Sequence, residues 1–445
     1  MRRTTAALAL AASLAATSAL AQSAAPSAAI YIQAGALLDR PGQAPRGPST
    51  LIVRNGRIEA VKDGFVAPEA GARLIDLKDQ FVLPGLIDSH VHMFSDNDKM
   101  AARLTATTRD IEGDFLVGVD NARRDLEAGF TTVRDLSSPP RSIMALRDGI
   151  NSGLVPGPTI VPAGHMISVT GGHGDGANGL NRVNAEAARE EADYLCDGPE
   201  SCRRAVRNQI SQGAEVIKFA ATGGVLSNVS GGLSRQMFDD EMVAIVQTAH
   251  SFGRKVAVHA HAKDGIDGAL RAGADSIEHA TYADAESIAL FKKTGAYLVP
   301  TMVAYTAALE QARAGARPPA VLAKAEEAAK IAFTNHAAQI KAGVKIAFGT
   351  DTGVSAHGQN AREFKMLVDA GMTPADAIRA ATVAAADLLG RADRIGTLEA
   401  GKDADIIAVA KSPQADVTEL ERPTFVMRRG WVDKLGGLRQ GFPAN

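Results

Sequence analysis

Phe81-Val-Leu-Pro-Gly-Leu-Ile-Asp-Ser-His-Val-His92 is an apolar run that ends in His-x-His. In an extended strand, residues i and i+2 project to one side, so His90 and His92 can both face one ion. The apolar residues before them read as a strand buried on both faces, with polar groups only at its carboxyl end. That is the layout of a parallel sheet covered by helices.

Working outward, short apolar runs recur between Thr131 and Gly349, separated by longer amphipathic, Ala- and charge-rich stretches. Together with 81–87 they fall at 131–134, 159–162, 214–219, 255–258, 275–278, 296–300 and 344–348. Eight such runs suit an α/β fold of the (β/α)8 TIM-barrel type. The intervening helices are legible: 239–252 places Met242, Ile245, Val246 and Ala249 at spacings of three and four after an acidic start. Ala-Gly pairs at 128–129, 272–273 and 342–343 supply the glycine that ends a helix before the next strand.

Both ends of the chain read as strands of one further unit. Thr50-Leu-Ile-Val-Arg-Asn-Gly-Arg-Ile-Glu-Ala-Val61 is a strand, an Asn-Gly turn and a second strand. Gly401-Lys-Asp-Ala-Asp-Ile-Ile-Ala-Val409 and Phe425-Val-Met-Arg-Arg-Gly-Trp-Val432 are strand-like in the same way. The expected organisation is a small β-sandwich domain built from 22–80 and 391–445 around a barrel at 81–390.

Residues 1–21 have Arg2 and Arg3, an Ala/Leu-rich run and Ala19-Leu20-Ala21 before Gln22, the signature of a secretory signal peptide. No later segment is long and apolar enough to span a membrane. The expected mature chain is exported, most simply to a bacterial periplasm. Its formal charge of -2 becomes -4 without Arg2 and Arg3. With no basic block, no nucleic-acid surface is expected. Cys196 and Cys202 flank a Gly-Pro turn and could close a short disulfide loop in an oxidising compartment, or stand as separate thiols. A zinc site from this pair alone lacks two ligands.

The polar residues at the run ends form one constellation. Lys218 closes the fourth run, His259 follows the fifth, His279 the sixth and Asp351 the eighth. With His90 and His92, all six fall at carboxyl ends of barrel strands, where such barrels keep catalytic groups.

At this point the chain resembles the amidohydrolase superfamily over nearly its whole mature length. Leu83-Pro-Gly-Leu-Ile-Asp-Ser-His-Val-His92, Ile277-Glu-His279, Gly349-Thr-Asp351 and Gly401-Lys-Asp-Ala-Asp405 carry the resemblance. Ala214-Glu-Val-Ile-Lys-Phe219 and Thr222-Gly-Gly-Val-Leu226 are similar to its binuclear dipeptidase branch, which includes Xaa-Pro dipeptidases and ochratoxin-hydrolysing amidases. The resemblance implies two divalent ions, zinc the expected occupant: His90, His92 and Asp351 on the more buried one, His259 and His279 on the other. Lys218, as a carbamate, would bridge them, because an ammonium would repel two cations. It further implies hydrolysis of an amide bond in a dipeptide, an N-acyl amino acid or an ochratoxin-like aryl amide. A metal-bridging hydroxide would attack the carbonyl, with Asp351 as proton shuttle. Members often form homo-oligomers, so one is expected here.

His261, two residues beyond His259, is expected to face substrate, hydrogen-bonding the carbonyl or the developing oxyanion. His165 and His173, in the glycine-rich stretch 164–179, are expected to bind a substrate carboxylate or line the pocket. Val229, with Val225 and Leu226, would form an aliphatic wall. Two rival readings stand beside this one. A deaminase or imidazolone-type hydrolase on the same barrel works with one metal and lacks a lysine ligand, so Lys218 argues against it. A non-catalytic periplasmic binding protein needs no proton shuttle, so Asp351 argues against that.

Overall fold

The computed structural model describes residues 28–95, 108–190, 192–225, 232–314 and 319–441. The expected leader and Val229 lie outside the described residues, as does Leu226. Among the described residues, no helix is long and apolar enough to cross a membrane.

The quoted stretch divides at Gly85, and this corrects the expected first barrel strand. Phe81 to Pro84 end a twelve-residue strand, Arg73–Pro84, that belongs to the terminal sheet, where they pair with Ile406–Val409. The barrel strand is Leu86–Val91, buried along its whole length. Gly85 is needed at the switch because a Cβ there would lie 2.2 Å from Thr131 Oγ1. The sequence gives one apolar run because both strands are buried, and periodicity does not separate two buried strands placed end to end.

Leu86–Val91, Phe130–Asp135 and Thr159–Pro162 form one parallel sheet. Val216–Ala220, Lys255–Ala260, Ser276–His279 and Tyr297–Val299 form a second. Two seams join them. At one, Glu215 N donates to Pro162 O and Ile167 N to Lys218 O, both at 2.8 Å. At the other, Leu298 N donates to Lys345 O, Ser89 N to Phe348 O and Asp351 N to His90 O. Hydrogen bonds therefore run in a closed circuit of eight parallel segments. The eighth, 344–348, is not the regular strand expected from its sequence; only Ile346 forms a ladder bridge, to Leu298.

Helices follow the strands. Gly129, Gly273 and Gly343 have φ of +92°, +96° and +77°, the left-handed turn that returns each helix to the next strand. One large apolar cluster joins these helices to the outer faces of the strands, with Phe130, Phe219, Phe291, Phe348 and Phe364 among its bulkiest members.

The terminal unit is a single eight-stranded sheet and not the expected pair of sheets. Its order places Leu438–Arg439, Trp431–Leu435, Phe425–Arg428, Ile406–Val409, Arg73–Pro84, Ile30–Leu37, Ser49–Arg54 and Arg57–Asp63 side by side. One core nonetheless contains residues of both ends, Ile32, Leu51 and Ile75 with Ile406, Phe425 and Met427. The long strand Arg73–Pro84 carries pairing from one half to the other, so the two halves are continuous. Asn55 and Gly56 both have positive φ, as an Asn-Gly hairpin turn requires.

Cys196 and Cys202 are disulfide-bonded. The loop they close pairs with the chain ahead of His173: Cys196 N donates to Ser168 O at 2.8 Å, and Thr170 Oγ1 donates to Asp197 at 2.6 Å.

The eighth segment is packed without room to spare. A Cβ on Gly349 would stand 2.4 Å from Val299 Cγ1 and 3.1 Å from His90 N. Gly349→Ala is expected to cost about 1–3 kcal/mol, the range for overpacked interiors. Thermal unfolding checks this; an unchanged midpoint would show that the segment yields freely.

Candidate metal centre

Strand ends bring His90, His92, Lys218, His259, His261, His279 and Asp351 around one cavity of about 340 Å³. His173 also lines it, with Ser137, Met166, Gly224, Val225, Tyr305 and Val354. His165 does not. Its ring packs on Tyr194 at 4.5 Å, so the pocket role expected for it is not supported. His173 stacks on His259 at 4.2 Å, and among the described residues its buried Nδ1 has no hydrogen-bond partner.

Hydrogen-bond accounting fixes which nitrogen each imidazole turns toward the cavity. His90 Nδ1 lies 2.9 Å from the carboxylate of Glu278, and His92 Nδ1 lies 3.1 Å from Ser137 O. Both partners only accept, so both Nδ1 atoms carry the proton and both Nε2 atoms present a lone pair. Those lone pairs converge on one oxygen: Asp351 Oδ1 is 2.9 Å from His92 Nε2 and 3.5 Å from His90 Nε2. Three acceptors aimed at one another repel unless a cation or proton lies among them. The donor set therefore fits a metal ion, with second-layer partners orienting the ligands.

Two groups of ligand atoms lie close enough to share an ion, His90 with His279 and Asp351, and His259 with His261 and His279. His261 belongs to the second by position alone.

Electrostatics are consistent with this chemistry. Burial lowers His90 to about 4, with Lys218 adding to the effect. Burial and neighbouring imidazoles hold His259 and His279 well below the usual range. His90, His259 and His279 are thus uncharged at neutral pH, as metal binding requires. For His92, burial lowers the pKa but the adjoining Asp351 carboxylate outweighs it and raises it. For Asp351, burial favours the neutral acid, but His90, His92 and His279 outweigh it and keep the carboxyl well below the usual range. Lys218 is 2% exposed and, among the described residues, its Nζ has no hydrogen-bond partner. Burial pushes its ammonium down to about 8, against the pull of Glu278 and Asp351.

Backbone strain is concentrated at the same place. His279, Ala280, Thr301 and Asp351 have φ of +72°, +46°, +52° and +57°. Such residues cost about 1–3 kcal/mol each and persist where surrounding contacts over-determine them. Here Ala280 N donates to Ala260 O and Asp351 N to His90 O.

Sequence reasoning missed the layer beneath. Glu278, with no exposed surface, accepts from Arg134 Nη2 at 2.9 Å and Ser276 Oγ at 2.5 Å, besides holding His90. An arginine and a glutamate inside apolar strands were the available signal. Burial would raise Glu278, but Arg134 and then His90 reverse this and hold it at about 2, below its ordinary 4.5. Its stabilisation is therefore present above pH 4.5 and lost as pH falls toward 2. Arg134→Met, which strands the carboxylate, is expected to cost about 3–5 kcal/mol at pH 7 and to flatten this acid-side loss. Urea unfolding between pH 7 and pH 3 reads both; equal stability of variant and parent at pH 7 would contradict the assignment.

Residues 81–435 match the model of the amidohydrolase family. Ochratoxinase of Aspergillus niger is 34% identical over 374 residues, covering 80% of this chain and 76% of that protein. A crystal structure of a Xaa-Pro dipeptidase with methionine in its active site superposes with a TM-score of 0.85 at 36% identity, covering 92% of this chain and all of that one. Imidazolonepropionase of Mesorhizobium japonicum is more distant, at 24% identity over 89% of each chain. The relatives' fold is the TIM barrel, which the closed circuit of parallel segments matches. The chain belongs to the amidohydrolase family and is a hydrolytic enzyme acting on amide bonds.

Proposed function

We propose that this enzyme cleaves a dipeptide or an N-acyl amino acid, ochratoxin-like aryl amides included, with two divalent ions, zinc foremost, and with Lys218 as its carbamate. The observation that carries the reading is the buried Lys218 Nζ, which lines the histidine cavity without a hydrogen-bond partner among the described residues. An ammonium has no use for that position. Burial pushes the ammonium down to about 8, which favours loss of its proton to give the neutral amine. The neutral amine adds to carbon dioxide, forming an N–C bond as one C–O π bond opens and releasing one proton, and the product offers two oxygens that share one negative charge.

His90, His92 and Asp351 would hold one ion, His259 and His279 the other, with the Lys218 carbamate between them. Bound there, such ions supply a water of lowered pKa and polarise the scissile carbonyl. Asp351 takes the proton of the attacking water and delivers it to the departing amine. His173 and His261 face the substrate. Met166, Val225, Ala304, Ala308 and Val354 give its side chain an apolar wall. Export to the periplasm belongs to the same proposal and is supported by the Cys196–Cys202 disulfide, which an oxidising compartment preserves.

Metal analysis of zinc-loaded protein is expected to find two ions per chain, and chelation to abolish turnover of a dipeptide panel. Lys218→Ala should lose metal. Asp351→Asn should fold normally and lose at least about 100-fold in kcat. One ion per chain would favour the deaminase-type rival, and a metal-loaded enzyme inactive on dipeptides and N-acyl amino acids would refute the substrate class.

A further inference from the structure

Two histidine–threonine pairs in the cavity wall have opposite hydrogen-bond polarity. His279 Nδ1 lies 2.7 Å from Thr301 Oγ1, and Thr301 Oγ1 donates its one hydrogen to Pro300 O at 2.7 Å. That hydroxyl can only accept from His279, so the ring proton sits on Nδ1 and Nε2 keeps a lone pair. His261 Nδ1 lies 2.6 Å from Thr281 Oγ1, but Thr281 Oγ1 is also 2.7 Å from the hydroxyl of Tyr305. Tyr305 is 4% exposed, and among the described residues its hydroxyl has no other hydrogen-bond partner. If Thr281 donated to Tyr305, the phenolic proton would find no protein acceptor among the described residues. The satisfied order is Tyr305 to Thr281 to His261 Nδ1. The ring proton of His261 is then on Nε2, on a residue that lines the cavity.

We infer that Tyr305 and Thr281 are positioning residues that hold His261 with its proton on Nε2, so that His261 donates a hydrogen bond to the scissile carbonyl and its oxyanion and does not ligate metal. The inference deepens the proposed amide hydrolysis and rests on it. By position, His261 completes a three-nitrogen set with His259 and His279, and its ring lies parallel to His279 at 4.8 Å. Hydrogen-bond polarity removes it from that set. No covalent bond to hydrogen breaks in this role; charge growing on the carbonyl oxygen strengthens an existing N–H donor.

The surroundings hold the relay in place. His261 N donates to Thr222 Oγ1 at 2.9 Å, and Asn335 Nδ2 donates to Thr281 O at 2.8 Å. Tyr305 lies on the helix Met302–Arg313, whose first two N–H groups donate to buried Glu363 at 2.8 and 2.7 Å.

The test compares His261→Ala, Thr281→Val, Thr281→Ser and Tyr305→Phe with the parent, all zinc-loaded, for metal content and dipeptide kinetics, and adds nitrogen-15 imidazole spectra of the parent. Metal content is expected to equal the parent's in every variant. His261→Ala should lower kcat about 100-fold or more with little change in KM. Thr281→Val should lower it about 10–100-fold, and Thr281→Ser should restore most of it. The spectra should show a neutral imidazole protonated at Nε2 and assigned to His261 by its absence in His261→Ala. Loss of metal in His261→Ala, a parent-like kcat in Thr281→Val, or a His261 spectrum protonated at Nδ1 would each overturn the inference. Should Thr281→Val not fold, the parent spectrum and the metal content of His261→Ala decide alone. A parent without amidase activity would refute the proposed function, and these two readouts would still settle the state of His261.

Discussion

Glu278 has no exposed surface and carries a negative charge, and its position governs the rest of the site. Such a charge is tolerable only where a cation and full hydrogen bonding meet it. Arg134 supplies the cation, and Ser276 Oγ and His90 Nδ1 complete the hydrogen bonding; the arginine's Nη1 contacts Ser276 Oγ and its Nε donates to Ser89 O at 2.5 Å. The guanidinium thus ties together strands Leu86–Val91, Phe130–Asp135 and Ser276–His279 across the interior. The other carboxylate oxygen of Glu278 holds His90 in the tautomer that presents Nε2. A structural ion pair therefore also fixes the state of a metal-facing group.

The same logic extends around the cavity. Each imidazole is defined less by its own position than by what its second nitrogen touches: a carboxylate for His90, a backbone carbonyl for His92, and threonine hydroxyls of opposite polarity for His279 and His261. Strained backbone at His279 and Asp351 aims side chains that regular strand geometry would direct elsewhere. Lys218 is the exception. Among the described residues its buried nitrogen has no hydrogen-bond partner, and the proposed carbamate gives that nitrogen a function.

Much of this was legible in the sequence, for a physical reason. Strand ends of a parallel barrel converge on one face, so residues as remote as His90 and Asp351 could be grouped from the run pattern alone. Lys218 stood out because a lysine inside an apolar strand demands an explanation. The irregular eighth segment was not legible, because apolar composition marks burial and not ladder pairing. The division of the first run at Gly85 was hidden for the same reason. His165 failed because a glycine-rich loop can point a side chain either way, and here the disulfide-tethered segment places Tyr194 against its ring. Thr281 and Tyr305 were invisible: their significance lies in hydrogen-bond polarity, which follows from coordinates and not from residue type.

On the proposed reading the imidazoles of His90, His92, His259 and His279, with Asp351 and Lys218, serve two metal ions while His261 stands apart from both. A crystal structure of the zinc-loaded enzyme with anomalous data at the zinc edge addresses it directly. Two peaks are expected, one beside His90, His92 and Asp351 and one beside His259 and His279, with continuous density extending from Lys218 Nζ between them. A single peak, or a peak ligated by His261 with bare density at Lys218, would contradict it.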